Sequence, residues 1–146
     1  MTDARRHSLL VRVYYEDTDA GGIVYHATYL RWMERVRTEW LRALGTRHDE
    51  AWRGGLQFVV SELAIRYLRP ARLDDLLAVD LEVTDVRRAS LRLAQRVHPA
   101  GAGGTQEGGA AGAAIADATV RVAVMNRVSG RPAALPKALL ETLGAE

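Results

Sequence analysis

The 146-residue chain contains no cysteine. That absence excludes disulfide bracing, thiolate metal ligation and cysteine catalysis together. Lysine is nearly missing as well, since Lys137 is the only one and arginine supplies the rest of the basic side. The formal net charge is +2, and the arginines are interleaved with acids along the chain rather than gathered. A nucleic-acid-binding stripe is therefore not indicated. No apolar run approaches the roughly 20 residues that span a bilayer. The opening "MTDARRHSLLVRVYYED" has too short an apolar stretch for a signal peptide and no small-residue cleavage site. A cytoplasmic location is the expectation. Gly-x-x-x-x-Gly-Lys-Ser/Thr is missing, so there is no phosphate-binding P-loop. Gly-x-Ser-x-Gly is missing, so there is no nucleophile elbow. His7, His26, His48 and His98 lack ligand spacing, and no metal site is expected.

What remains is an ordinary globular composition, 48% hydrophobic and 26% charged. One domain covering residues 1–146 can bury a core without staples. "LLVRVYY" (9–15) alternates, placing Leu9, Val11, Val13 and Tyr15 on one face of a strand. "TYLRWMERVRTEWLRALG" (28–45) changes period. Tyr29, Met33, Val36, Trp40 and Leu44 fall on one helical stripe, with Glu34, Arg35, Arg37, Glu39 and Arg42 on the other side. Thr28 is the expected N-cap, and Gly45 is placed to end the helix in a left-handed conformation.

Strands follow at 58–71, 76–88, 90–97 and 118–125. In the middle two, Leu77, Val79, Leu81 and Val83, then Leu91, Leu93 and Val97, point inward, and a short "RRA" suits the hairpin between them. Val120, Val122 and Val124 share a face of the last strand. "PKALLETLG" (136–144) reads as a terminal helix with proline in its first turn. The low-complexity "AGAGGTQEGGAAGAA" (100–114) is expected to be a flexible Gly/Ala-rich hairpin loop. A strongly apolar helix stripe needs a sheet to cover it, so the expected class is α+β, one long helix against an antiparallel sheet.

The chemistry concentrates in "YYEDTDAGGIVYH" (14–26), between the first strand and the long helix. A helix N-terminus offers unpaired N–H groups and a partial positive charge, suited to an oxyanion or a polarised carbonyl. Gly21 and Gly22 let a ligand approach the backbone. Asp17 and Asp19 can act as base or nucleophile, and His26 can carry a proton near neutrality. These are components of acyl transfer or hydrolysis. They are equally the components of a polar turn, and residue pattern alone leaves both open.

The stretch "VRVYYEDTDAGGIVYHATYLRWMERVRTEWLR" closely resembles the amino-terminal segment of the hotdog-fold acyl-CoA thioesterases. The match is best with the 4-hydroxybenzoyl-CoA thioesterase-like subfamily associated with the bacterial Tol-Pal system. "FVVSELAIRYLRPARLDDLL" and "GRPAALP" resemble later parts of the same family, so the likeness covers nearly the whole chain.

The resemblance implies a hotdog fold, a long central helix wrapped by a curled antiparallel sheet of about five strands. It implies a homodimer or tetramer with active sites at the dimer interface. The implied reaction is hydrolysis of an acyl-CoA or acyl-carrier-protein thioester, without metal or cofactor. It assigns the catalytic carboxylate to Asp19, with Tyr15 and His26 at the family's tyrosine and histidine positions. The backbone near His26 would polarise the carbonyl, and Gly21, Gly22, Ile23 and Val24 would line the substrate. Asp17 becomes a support that holds the loop through backbone N–H groups. Arg72, Arg87, Arg88 and Arg131 are candidates for the CoA phosphates because they flank turns. A non-catalytic acyl-binding or scaffold module of the envelope Tol-Pal system is the alternative, and a hydratase or dehydratase the third reading. Two departures stand out: the glycine-alanine loop is longer than the family usually has, and Asn126 stands where aspartate is common.

Overall fold

A computed structural model of the chain describes residues 3–101 and 113–144. Five strands, β1 (Arg6–Arg12), β2 (Leu56–Tyr67), β3 (Leu76–Val86), β4 (Ser90–Pro99) and β5 (Ala116–Asn126), form one sheet. Its order is β1-β3-β4-β5-β2, with every neighbouring pair antiparallel. The helices are α1 (His26–Ala43), α2 (His48–Arg53) and α3 (Lys137–Thr142). The class is α+β. The hairpin loop expected at 100–114 falls mostly on residues 102–112, outside the described residues.

The alternating patterns become the core. Leu77, Val79, Leu81 and Val83 of β3, Leu91, Leu93 and Val97 of β4, and Val120, Val122 and Val124 of β5 are all buried. From α1, Tyr29, Met33, Val36 and Trp40 are buried as their spacing predicts, and Trp32 and Leu41 join them. Each such side chain withdrawn from water stabilises the fold by about 1.5–3 kcal/mol. Two polar ties fix the helix more specifically than packing does. Trp40 Nε1–H donates to the Ala4 carbonyl at 2.7 Å, and the buried Gln95 amide of β4 donates to the Met33 carbonyl at 3.0 Å.

Several sequence expectations are corrected. The helix begins at His26, with Tyr25 rather than Thr28 as its N-cap. Thr28 is buried, and its hydroxyl reaches the Asp17 carbonyl at 3.4 Å. Gly45 does take the left-handed conformation, at φ 85°. β1 stops at Arg12, and Tyr15 opens a single 3-10 turn, Tyr15–Asp17, standing 83% exposed instead of on an inward strand face. α2 was not expected, because six residues are too few to show a helical stripe. Arg37 leaves the polar side assigned to it. It is half-buried, and its Nη1 donates to Gln95 Oε1 at 2.9 Å.

The two edges of the sheet differ. β1 has seven residues, and its end is tied down where Arg12 Nη1 donates to the Asp74 carbonyl and Val13 N–H to that of Asp75. β2 has twelve residues, pairs on one side only, and exposes Val60, Leu63 and Tyr67. Its pairing with β5 shifts register at Ser61, between Val60 and Glu62. Val60 lies opposite Val122 and Leu63 opposite Val120. The bulge thus places Phe58 and Val60 on the same face as Leu63, Ile65 and Tyr67, which strict alternation forbids.

Candidate active site

The segment 17–25 folds back on itself as a small hairpin. Thr18 bridges Val24, Asp19 N–H donates to the Ile23 carbonyl at 2.9 Å, and Tyr25 N–H donates to the Asp17 carbonyl at 2.9 Å. A second turn, 71–75, clamps it from outside. Val24 N–H donates to the Ala71 carbonyl at 2.8 Å, and Ile23 bridges Arg72. That turn is itself held by Asp75, whose carboxylate accepts from Arg72 N–H at 2.9 Å, and it forces Asp74 to φ 73°. The loop that sequence marks as weak in secondary structure is therefore pinned at both ends by backbone hydrogen bonds.

The two aspartates separate clearly. Asp17 Oδ2 accepts from Tyr14 N–H at 2.8 Å, while its carbonyl receives Tyr25 and Thr28. It is a brace, as expected. Asp19 stands exposed at the hairpin tip, where Oδ1 accepts from Gly21 N–H at 2.8 Å. Oδ2 makes no hydrogen bond among the described residues, so one carboxylate oxygen is oriented and the other is open to a reactant. A Cβ at Gly21 would lie 3.2 Å from Asp19 Oδ1, so a larger residue there would push the carboxylate aside by a few tenths of an ångström. Gly22 turns the chain at φ 80°, a conformation that costs other residues energy.

His26 opens α1 and is exposed. Its ring lies 4.5 Å from the Tyr25 ring and meets Tyr67 edge-on at 6.2 Å. The Tyr67 hydroxyl donates to the His26 carbonyl at 2.9 Å, and partial burial pushes the phenol pKa up, keeping that proton in place. Tyr29 stacks against Tyr67 at 5.7 Å, and its hydroxyl accepts from Ala71 N–H at 3.3 Å. Burial pushes the Tyr29 phenol pKa up as well. Thr28 N–H is taken by the Tyr25 carbonyl, but among the described residues the N–H groups of His26 and Ala27 meet no protein acceptor. The first turn of an eighteen-residue helix thus presents two free donors and the positive end of its dipole.

The structure gathers Asp19, Gly21, Gly22 and Ile23 in one hairpin and sets His26 at the helix entrance beside it. It does not bring in Tyr15, whose side chain makes no hydrogen bond or ring contact to Asp19 or His26 among the described residues. Val24 points into the core at 3% exposure, so it anchors the loop rather than lining an open surface. Ile23 is half-buried. Tyr67 is the residue sequence reasoning missed: it lies forty-one positions from His26, and no local pattern signals that contact. No group of three or more histidine, aspartate or glutamate side chains converges among the described residues. No helix among them is long and apolar enough to cross a membrane.

An oriented carboxylate on the hairpin that leads into unpaired helix N–H groups supplies the kinds of group that attack on a carbonyl uses. Comparison with known proteins agrees in kind. A Haemophilus influenzae protein, acyl-CoA thioesterase YbgC, is 44% identical over 131 residues, 89% of this chain and 88% of its own length. The Escherichia coli acyl-CoA thioester hydrolase YbgC (strain CFT073) is 39% identical over 130 residues, covering 89% and 90%. The crystal structure of a probable thioesterase from Bartonella henselae superposes with a TM-score of 0.74 at 32% identity, over 90% of this chain and 99% of that one. The family model described as the thioesterase-like superfamily matches residues 13–143, and the chain belongs to that superfamily.

Proposed function

We propose that this protein is an acyl-CoA thioesterase that hydrolyses short- to medium-chain or aromatic acyl thioesters, with Asp19 as the reacting carboxylate. The single observation that carries the reading is that the hairpin presenting the oriented, exposed Asp19 runs directly into a helix entrance whose His26 and Ala27 N–H groups meet no acceptor among the described residues. The family membership and the two YbgC relatives support it. The thioester carbonyl oxygen is held at the helix entrance, where developing negative charge is stabilised by donors that need no reorganisation. Asp19 acts as general base on water or as nucleophile on the carbonyl carbon. The C–S bond breaks, water supplies oxygen and hydrogen to the acid, and the thiol leaves with the remaining proton. His26 orients the substrate at the helix entrance, and Gly21, Gly22 and Ile23 shape the approach. Tyr15, solvent-exposed in one chain, reaches a substrate only from the outside.

The unpaired edge of β2 supports the assembly. A long edge with exposed apolar side chains and few charges is a template for a further strand. Two copies pairing antiparallel through β2 would make a continuous sheet, with the long helix of each copy cradled in a hotdog arrangement. Acyl-carrier protein is an alternative carrier of the same thioester, and the cytoplasm is the compartment that holds both.

The test is turnover of a panel of acyl-CoAs by wild type and by Asp19→Asn, which preserves the hydrogen bond to Gly21. Loss of at least about 100-fold in kcat is expected for a base or nucleophile. Binding of acyl-CoA without turnover by wild type would instead make the protein an acyl-binding module.

A further inference from the structure

A second feature lies at the other end of α1. Between the carboxy-terminal half of that helix and strands β2, β4 and β5 is a cavity of about 330 Å³. Phe58, Val60, Leu93 and Val122 give it apolar walls, while Glu34, Arg37 and Thr38 enter from the helix. Its volume is at the small end of ligand pockets. A half-buried arginine in such walls is unusual, because desolvating a cation is costly unless it is paired. Among the described residues the guanidinium makes one hydrogen bond, from Nη1 to Gln95 Oε1 at 2.9 Å, out of five donors. Gln95 is fixed in turn by its own bond to the Met33 carbonyl, so the fork is held in place. Burial pushes the guanidinium pKa down, and nearby Glu34 opposes that only in part.

The position of the cavity gives it an occupant. β2 carries Phe58 and Val60 near its start and Tyr67, which holds the His26 carbonyl, at its end. In an antiparallel β2 pair the start of one strand lies beside the end of the other. Such pairing would bring the cavity of one copy towards the helix entrance of its partner.

We infer that this cavity receives the acyl group of the thioester attacked by Asp19 of the partner subunit, and that Arg37 selects acyl groups carrying an oxygen acceptor at their far end. The inference rests on the thioesterase reading above and adds the substrate class. Arg37 is a specificity residue, away from the reacting atoms. A plain hydrocarbon tail leaves the guanidinium unsatisfied on the cavity side, whereas a terminal hydroxyl or carboxylate accepts from it.

The experiment compares pentanoyl-CoA with the acyl-CoA of equal length whose terminal methyl is a hydroxyl, and with succinyl-CoA. Wild type is expected to favour at least one oxygenated substrate by about tenfold or more in kcat/KM, since sites built to hydrogen-bond a group discriminate against its absence. Arg37→Met is expected to bring that ratio towards one. Equal kcat/KM for all three substrates in wild type overturns the inference while leaving the thioesterase reading intact. So does an Arg37→Met variant that slows every substrate by the same factor, the signature of a structural role. If Arg37→Met does not fold, Arg37→Lys keeps the charge but drops the fork. Its ammonium still donates, so it should keep part of each oxygen preference, and equal loss on all substrates overturns the assignment. Failure of wild type to turn over any thioester overturns both readings.

Discussion

At the amino-terminal end of α1 the polar groups stand at the surface and are positioned by backbone hydrogen bonds. Asp17, Asp19 and His26 have their geometry set by Tyr14, Gly21, Tyr25 and Tyr67. At the carboxy-terminal end, Val36, Trp40 and Leu41 are buried, and the helix is held by packing and by the Trp40 bond to Ala4. The helix is packed along its length, and at its amino-terminal end exposed polar groups are added to that packing. The contrast teaches that Asp19 and His26, exposed at the surface, contribute little to the fold, so they can be altered without unfolding it.

The strongest way to break this contrast is at the packed end. Trp40→Ala leaves a cavity and orphans the Ala4 carbonyl, and is expected to cost about 3–5 kcal/mol in denaturant unfolding. A loss under about 1 kcal/mol would mean the packed end is not where stability resides. Next comes the reactive end: Asp19→Asn should lose at least about 100-fold in turnover while its unfolding free energy changes by less than about 0.5 kcal/mol. Parallel losses of activity and stability would erase the distinction.

Asp17→Ala tests the boundary between the two ends. It removes the acceptor for Tyr14 N–H and is expected to cost about 1–2 kcal/mol, with a drop in turnover because the hairpin loses its brace. The smallest effect is expected on β1, at His7. Burial lowers its pKa below the ordinary 6.5, against a weaker opposing pull from Glu39. The folded state therefore resists a proton that the unfolded chain accepts. Stability contributed by neutral His7 is present above pH 6.5 and declines as pH falls below it. His7→Gln should flatten that slope in a pH series of thermal unfolding.

Much of this was legible in the residues. The stripe of α1 and the alternation of β3, β4 and β5 are periodic over enough positions to fix both element and face. The "DTDAGG" stretch was legible as a polar turn, whereas the separation of Asp19 from its support Asp17 came only with the family resemblance. The rest depends on contacts distant in sequence. Tyr67 reaches His26 only because β2 lies at the sheet edge beside α1, which no local pattern encodes. Tyr15 was misplaced because alternation continued two residues past the point where Val13 N–H turns to Asp75. Arg37 was misplaced because an arginine usually marks a solvated face, and its partner Gln95 sits fifty-eight residues away on β4.

The extra residue at Ser61 works as a phase change along β2. Without it, alternation would send either Phe58 and Val60, or Leu63, Ile65 and Tyr67, to the opposite face of the sheet. The strand could then wall the cavity or steady the helix entrance, but not both. Deleting one inconspicuous serine would uncouple the cavity wall from the helix entrance while leaving every residue of each intact.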